Sequence, residues 1–199
     1  MKNTSLIRMT LGTAAALSAS IALAAPVRYT IDPDHTYPSF QADHMGGLSN
    51  WRGKFNRSSG FVVLDRQAGS GTLEVTVDTS SLDFGHDKMN EHAKSDEIFD
   101  VARFPTAVYQ GTLKDFKDGT PTRVDGVLTL KGVSKPLELT INSFLCKPNP
   151  MSGKEVCGAD ASASFDRDDF EVDYGKAYGF KMETTLQIQV EAIRDDEAK

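Results

Sequence analysis

The clearest pattern in the chain runs over residues 122–142. In its first half Val124, Gly126, Leu128 and Leu130 alternate with Arg123, Asp125, Thr129 and Lys131. In its second half Leu137, Leu139 and Ile141 alternate with Glu138, Thr140 and Asn142. Successive side chains of a strand point to opposite faces, so a period of two predicts strands with one dry and one wet face. Gly-Val-Ser-Lys-Pro at 132–136 breaks the pattern and reverses the chain. The two runs therefore form an antiparallel hairpin.

The same unit recurs along the chain. Residues 27–31 form a first strand, and 32–35 a turn built on Pro33 and its flanking aspartates. From Pro38 onward Phe40, Ala42 and His44 share a face, and Gly46-Gly47 ends the run. The stretch 51–56 is ambiguous, with Phe55 as its inward residue. Residues 60–65 are apolar on both faces, so their outer side needs cover. Strands follow at 72–78 (Leu73, Val75, Val77 dry), at 107–116 (Tyr109, Gly111, Leu113 on one face) and at 159–165. A last strand at 184–193 has Leu186, Ile188 and Val190 dry.

The period changes once. Residues 86–99 are good helix formers, with Met89, His92, Ala93 and Phe99 on one helical face. Phe104-Pro105 ends that segment. The acidic stretch 166–173 reads as a solvated loop, 174–180 as an aromatic loop or rim, and 194–199 as a frayed tail. Many short strands, one helix and short links predict an all-β fold, either an antiparallel sandwich or a closed antiparallel β-barrel of about eight strands. An outer-membrane barrel shows a similar alternation. Here the polar face is heavily charged, so the apolar face must point inward.

Charge and the termini refine this picture. Lys2 and Arg8 precede a short apolar run at 11–23, and Ala22-Leu23-Ala24 is a small-x-small cleavage site. This pattern is that of a secretory signal peptide over 1–24, leaving 25–199 as one mature domain. The run is too short for a membrane-spanning helix, and no cysteine follows the cut to carry a lipid anchor. Removing the leader's two positive charges takes the net charge from −6 to −8. An acidic exterior argues against nucleic acid and against an anionic membrane surface. No stable membrane anchor is expected.

Two cysteines remain, Cys146 and Cys157. Export and the turn-rich residues between them favour a disulfide across a hairpin loop over a metal or redox pair. Four histidines (His35, His44, His86 and His92) are spaced wrongly for one metal site, since His86 and His92 do not share a helical face. Ser58-Ser59-Gly60 is no nucleophile elbow, and there is no phosphate loop or dinucleotide fingerprint. No catalytic residue, metal or cofactor is expected.

Several segments, taken in order, resemble the YceI-like family of periplasmic, lipocalin-like proteins. They are Tyr29-Thr-Ile-Asp-Pro-Asp-His35-Thr36, Phe40-x3-His44-x-Gly46 and Gly53-Lys-Phe55, then Ser95-Asp-Glu-Ile-Phe99-Asp100 with Phe104-Pro105, and 126–136. The similarity covers the mature chain to about residue 193. It implies an eight-stranded barrel with a helical segment near one end. It also implies a polyisoprenoid lipid, such as an isoprenoid quinone or polyprenyl chain, along the barrel axis.

A ligand in such a barrel is expected to meet Phe40, His44, Phe55, Met89, His92, Phe99, Tyr109, Gly111, Leu113, Gly126, Leu128, Leu139 and Ile188. Gly111 and Gly126 sit on dry faces, where they leave room or else mark bulges and bends. His44, His92, Arg103 and Tyr109 are candidate headgroup partners, or else rim and core residues satisfied locally. The leading expectation is a periplasmic lipid carrier that is not an enzyme. The rivals are a stress-response interaction protein with a solid barrel, and an enzyme acting on a lipid head at the mouth.

Overall fold

Antiparallel pairing carries the chain around a closed ring in eight passes, the first three of them each broken once. The computed structural model describes residues 25–196. The expected leader at 1–24, and residues 197–199, lie outside the described residues. The broken passes are β1 (Val27–Ile31) with β2 (Tyr37–His44), β3 (Ser49–Phe55) with β4 (Ser58–Asp65), and β5 (Ser70–Asp78) with β6 (Leu82–Asp83). Five continuous strands follow: β7 (Thr106–Lys114), β8 (Arg123–Leu130), β9 (Val133–Pro148), β10 (Glu155–Asp166) and β11 (Glu183–Arg194). β11 closes the ring. One edge pairs with β10, and the other carries β1 at Ile31↔Ala192 and β2 at Phe40↔Leu186.

The breaks are sealed by side chains. Buried Thr36 donates its hydroxyl to the Glu191 carbonyl and accepts the Glu191 N–H, both at 3.2 Å. The Ser58 hydroxyl donates to the Thr36 carbonyl at 3.2 Å. Ser81 accepts Arg57 N–H on its hydroxyl at 3.0 Å and Asn56 N–H on its carbonyl at 3.1 Å. These bonds satisfy main-chain groups along the interrupted ladder, where the Glu191 carbonyl also accepts the Asp32 N–H at 2.9 Å.

The hairpin at 122–142 is present, with a tighter turn than the sequence suggests. Lys131 (φ 49°) and Gly132 (φ 79°) are both left-handed, and Leu130 faces Val133. Two such residues make a type I′ turn, whose twist matches the strands it joins. Pro136 is therefore in β9, opposite Val127, rather than in the turn. It lies in the part of β9 that β10 does not reach, since that pairing begins at Thr140↔Ser162. A missing N–H interrupts no ladder there.

Where β9 and β10 part, the segment after β10 fills the gap. Phe170 and Val172 are buried against Ala107 and Leu130. Lys131 donates to the Glu171 carbonyl at 2.7 Å, and Lys135 pairs with Asp169 at 2.9 Å. The acidic stretch is thus a wedge, not the solvated loop its composition suggests. On the outer side of β4 the Arg28 guanidinium lies 3.7 Å over the Phe61 ring and covers part of the apolar face that the sequence shows.

Between β6 and β7 stands helix α1 (Asp87–Lys94), shorter than the helical stretch read from sequence. The His86 side chain caps it by accepting Met89 N–H at 3.3 Å. It ends where the Ser95 hydroxyl donates to the His92 carbonyl at 2.7 Å. Phe99 comes from the turn beyond. No helix among the described residues is long and apolar enough to cross a membrane.

The barrel end opposite α1 is packed. Tyr29, Leu64, Leu113, Cys157 and Ala192 are buried together there. Cys146 and Cys157 are direct partners on β9 and β10, Cα atoms 4.0 Å apart, and form the disulfide.

Candidate ligand-binding cavity

Cross-strand register stacks the inward side chains of β2, β11 and β10 into rungs. From the packed end upward these are Val190–Ala159, then Pro38–Ile188–Ala161, Phe40–Leu186–Ala163 and Ala42–Thr184–Phe165. Arg167 N–H bonds the Met182 carbonyl at 2.9 Å, which continues the ladder by one rung. Period-two alternation puts Arg167 on the inner face with Phe165, and His44 with Ala42.

These rungs enclose a cavity of about 560 Å³. Leu186, Ile188 and Val190 point into the barrel yet are only half-buried. Their free surface faces the hollow rather than solvent. The cavity runs from Ile31 and Val190 near the packed end to a rim of Trp51, Phe84, Met89, His92, Tyr174 and Phe180. The volume lies within the roughly 300–1,000 Å³ of small-molecule sites, and the lining is overwhelmingly apolar.

Most residues expected to meet a ligand border this space. Phe40, His44 and Phe55 reach it from β2 and β3, and Met89, His92 and Phe99 from α1 and the turn after it. Tyr109, Leu128, Leu139 and Ile188 reach it from β7, β8, β9 and β11. Gly111, Leu113 and Gly126 do not. Leu113 belongs to the packed end. Gly111 and Gly126 are cross-strand partners, with no register break in the β7–β8 pair. They leave room, as their dry-face positions suggest, but the Tyr109 ring and Val124 take it. A Cβ on Gly126 would stand 2.3 Å from Tyr109 Cζ, and one on Gly111 2.5 Å from Val124 Cγ1.

The polar candidates separate. Tyr109 donates its hydroxyl to the Leu137 carbonyl at 2.8 Å. Burial, with Asp125 and Glu138 nearby, drives its pKa far above the usual phenol value. Arg103 is outside the cavity, on Asp100 at 3.2 Å and over the Phe104 ring. His44 and His92 stand at the mouth. His44 lies between Trp51 and Phe180, with ring centroids at 5.4 and 5.3 Å. His92 meets Tyr174 edge-on at 4.7 Å and bonds Glu97 at 2.8 Å.

Sequence reasoning passed over Asp43, Trp51, Arg167 and Thr184, all of which border the cavity. Asp43 accepts the N–H groups of Gly46 and Lys181, both at 2.9 Å, and ties the β2–β3 turn to the segment before β11. Arg167 was legible in principle, since the Ala161, Ala163, Phe165 alternation leads to it. Among the described residues one group of side chains has metal-ligand spacing, Cys146, Glu155 and Cys157. Both of its sulfurs are committed to the disulfide.

Comparison with known proteins agrees with this architecture. A UPF0312 protein of Enterobacter sp. (strain 638) is 32% identical over 176 residues, 87% of this chain and 88% of its own. Protein YceI of Salmonella arizonae is 31% identical over 187 residues, 92% of this chain and 95% of its own. Among solved structures, Burkholderia cenocepacia BcnA superposes with a TM-score of 0.63 at 19% identity, covering 81% of this chain and 99% of that one. A polyisoprenoid binding domain from Saccharophagus degradans gives 0.59 at 14% identity, covering 85% and 99%. At such identities these two structures speak to the fold. The sequence profile of the YceI-like domain matches residues 29–192, from the first barrel strand to the last. With the barrel, its hollow and these relatives in agreement, the chain belongs to the YceI-like domain family.

Proposed function

We propose that this protein binds the tail of a polyisoprenoid lipid in its lumen and carries or sequesters it in the periplasm. The observation that supports this most directly is the half-buried row Leu186, Ile188 and Val190 on the inner face of a closed barrel. An inward leucine that keeps free surface is waiting for apolar contact, and burying that surface drives binding. At roughly 30 Å³ per water-sized group, a cavity of about 560 Å³ holds about 19 carbon-sized groups, close to four isoprene units. Each unit contributes at most about 4 kcal/mol, at about 0.8 per buried carbon group. Association and ordering costs cancel much of the total. The outcome is tight binding with a tail-length optimum.

The polyisoprenoid-binding neighbour and the family resemblance support the ligand class. The signal-peptide pattern at 1–24 supports the periplasm. A binding role, rather than catalysis, fits a lumen lined by aliphatic and aromatic side chains, with mouth histidines held against aromatic rings. The rival of a solid, partner-binding barrel requires an interior meshed along its whole length, whereas the inward row Leu186, Ile188 and Val190 keeps free surface between the packed end and the clusters nearer the mouth.

Organic extraction of natively purified mature protein, followed by lipid identification, tests the reading. A prenyl lipid should be recovered in near-stoichiometric amount. A clean apo mass in native mass spectrometry, together with no uptake of added quinone or polyprenol, would overturn it.

A further inference from the structure

Two polar side chains border the otherwise apolar lumen near its mouth. Thr184 faces Ala42 on one side and Phe165 on the other. It is 5% exposed and borders the cavity. Its Oγ1 is closed off from the hollow as well as from solvent and has no hydrogen-bond partner. A buried hydroxyl without a partner is destabilising, and valine has the same shape without that penalty.

Arg167 lies one rung nearer the mouth, on the same face. It gives one N–H to the Val172 carbonyl at 2.6 Å and one to the Tyr174 carbonyl at 2.8 Å. A guanidinium carries five N–H donors, so these bonds orient it without exhausting it. Arg167 makes no ion pair among the described residues. Neighbouring Asp168 is committed to Lys176 at 2.5 Å, and Asp43 holds the two backbone N–H groups already described. Burial holds the Arg167 pKa below its ordinary value, with Asp168, Asp173 and Asp43 acting the other way.

We propose that Arg167 and Thr184 form a headgroup site just inside the mouth. It takes an acceptor oxygen on a prenyl lipid, either the carbonyl of a quinone or an oxygen of a prenyl phosphate. This rests on the lipid-binding reading and adds to it the chemistry of the head. The tail fills the rungs below and the head oxygen meets the guanidinium, while a turn of Thr184 about χ1 brings its hydroxyl out of its buried position onto the same oxygen. A lipid with no acceptor loses both contacts and leaves Thr184 bare.

The sole tryptophan, Trp51, borders the cavity and reports binding by its fluorescence. Mature wild type, Thr184→Val and Arg167→Met are titrated with a C20 prenyl phosphate, a quinone with a short prenyl tail and a headless C20 isoprenoid hydrocarbon. Thr184→Val should weaken the headed lipids roughly five- to tenfold and leave the hydrocarbon within about twofold. Arg167→Met should weaken the phosphate by more than the quinone if the natural head is anionic, and both alike if it is a neutral carbonyl. Arg167 also anchors the segment after β10, so Thr184→Val, which preserves shape, carries the test if Arg167→Met melts early. The proposal falls if Thr184→Val weakens headed and headless ligands equally, or neither. Wild type that takes up none of the three ligands overturns the lipid-binding reading, and this site with it.

Discussion

The phenol ring of Tyr109 occupies the space that a side chain on Gly126 would need. A Cβ at Gly126 would stand 2.3 Å from both Cζ and Oη of Tyr109 and 2.8 Å from the Gln110 carbonyl oxygen. The hydroxyl is fixed on the far side by the Leu137 carbonyl at 2.8 Å, so the ring has little freedom to retreat. Gly126→Ala should therefore cost about 1–3 kcal/mol as overpacking. For a chain of this size that lowers Tm by roughly 2–4 °C per kcal/mol. In a double-mutant cycle with Tyr109→Ala, the pair should cost less than the sum of the singles. Strict additivity in thermal melts would refute the contact.

Reducing the disulfide should destabilise the barrel without changing what it binds. Cys146 and Cys157 close a loop with a sequence separation of 11, for which chain entropy gives about 3 kcal/mol or less. The bond sits at the packed end, far from the mouth. A reductant should lower Tm by several degrees and leave lipid affinity within about twofold. An altered lipid preference on reduction would show that the two ends are coupled.

Asp43 sets an acid limit on the order of the mouth. The Lys181 N–H, and after it the N–H groups of Gly46 and Gly47, hold its pKa below the ordinary aspartate value. A lowered folded pKa means the contribution is complete above the unfolded value and is lost as pH falls through the folded one. The turn at 45–48 and the segment before β11 should separate as pH falls below about 4, the ordinary carboxylate range. Trp51 fluorescence should report this loosening, and Asp43→Asn should be flat over that window. A transition of equal size in Asp43→Asn would assign it to another group.

Bulk placed near the floor should shorten the preferred tail. Ala159 faces the lumen opposite Val190 on the lowest rung of the cavity. Ala159→Phe adds a ring there, so the tail-length optimum should fall by about one isoprene unit, with affinity for the longest tails down roughly tenfold or more. A homologous tail series measures this. An unchanged optimum would mean that the tail does not reach the floor.

The strands were legible because a half-buried strand writes its faces into the sequence two residues at a time. Leu186, Ile188 and Val190, or Leu137 and Leu139, are on the sides their alternation indicates. The breaks were less legible. Asp32 to His35 announces one through proline and aspartate, but Arg57 and Ser81 make theirs through hydrogen bonds between residues 24 apart. Composition misled at Phe170 and Val172, where acidic neighbours conceal two wedge residues. The dry-face glycines misled more subtly. Gly111 and Gly126 leave room, but a tyrosine two positions from Gly111 fills it, and sequence carries no signal for which tenant wins. Leu113 has the right face and the wrong depth, which period alone does not record.

The packed end has a directional consequence. A tube stoppered at Tyr29, Leu64 and Ala192 admits a guest from one side only. On the proposed reading the hydrocarbon end goes in first and comes out last, with the head held at the rim beside His44 and Arg167 while the lipid is bound. For the proposed carrier, loading and unloading would then share one doorway, so a donor and an acceptor would each have to face the same rim, one after the other.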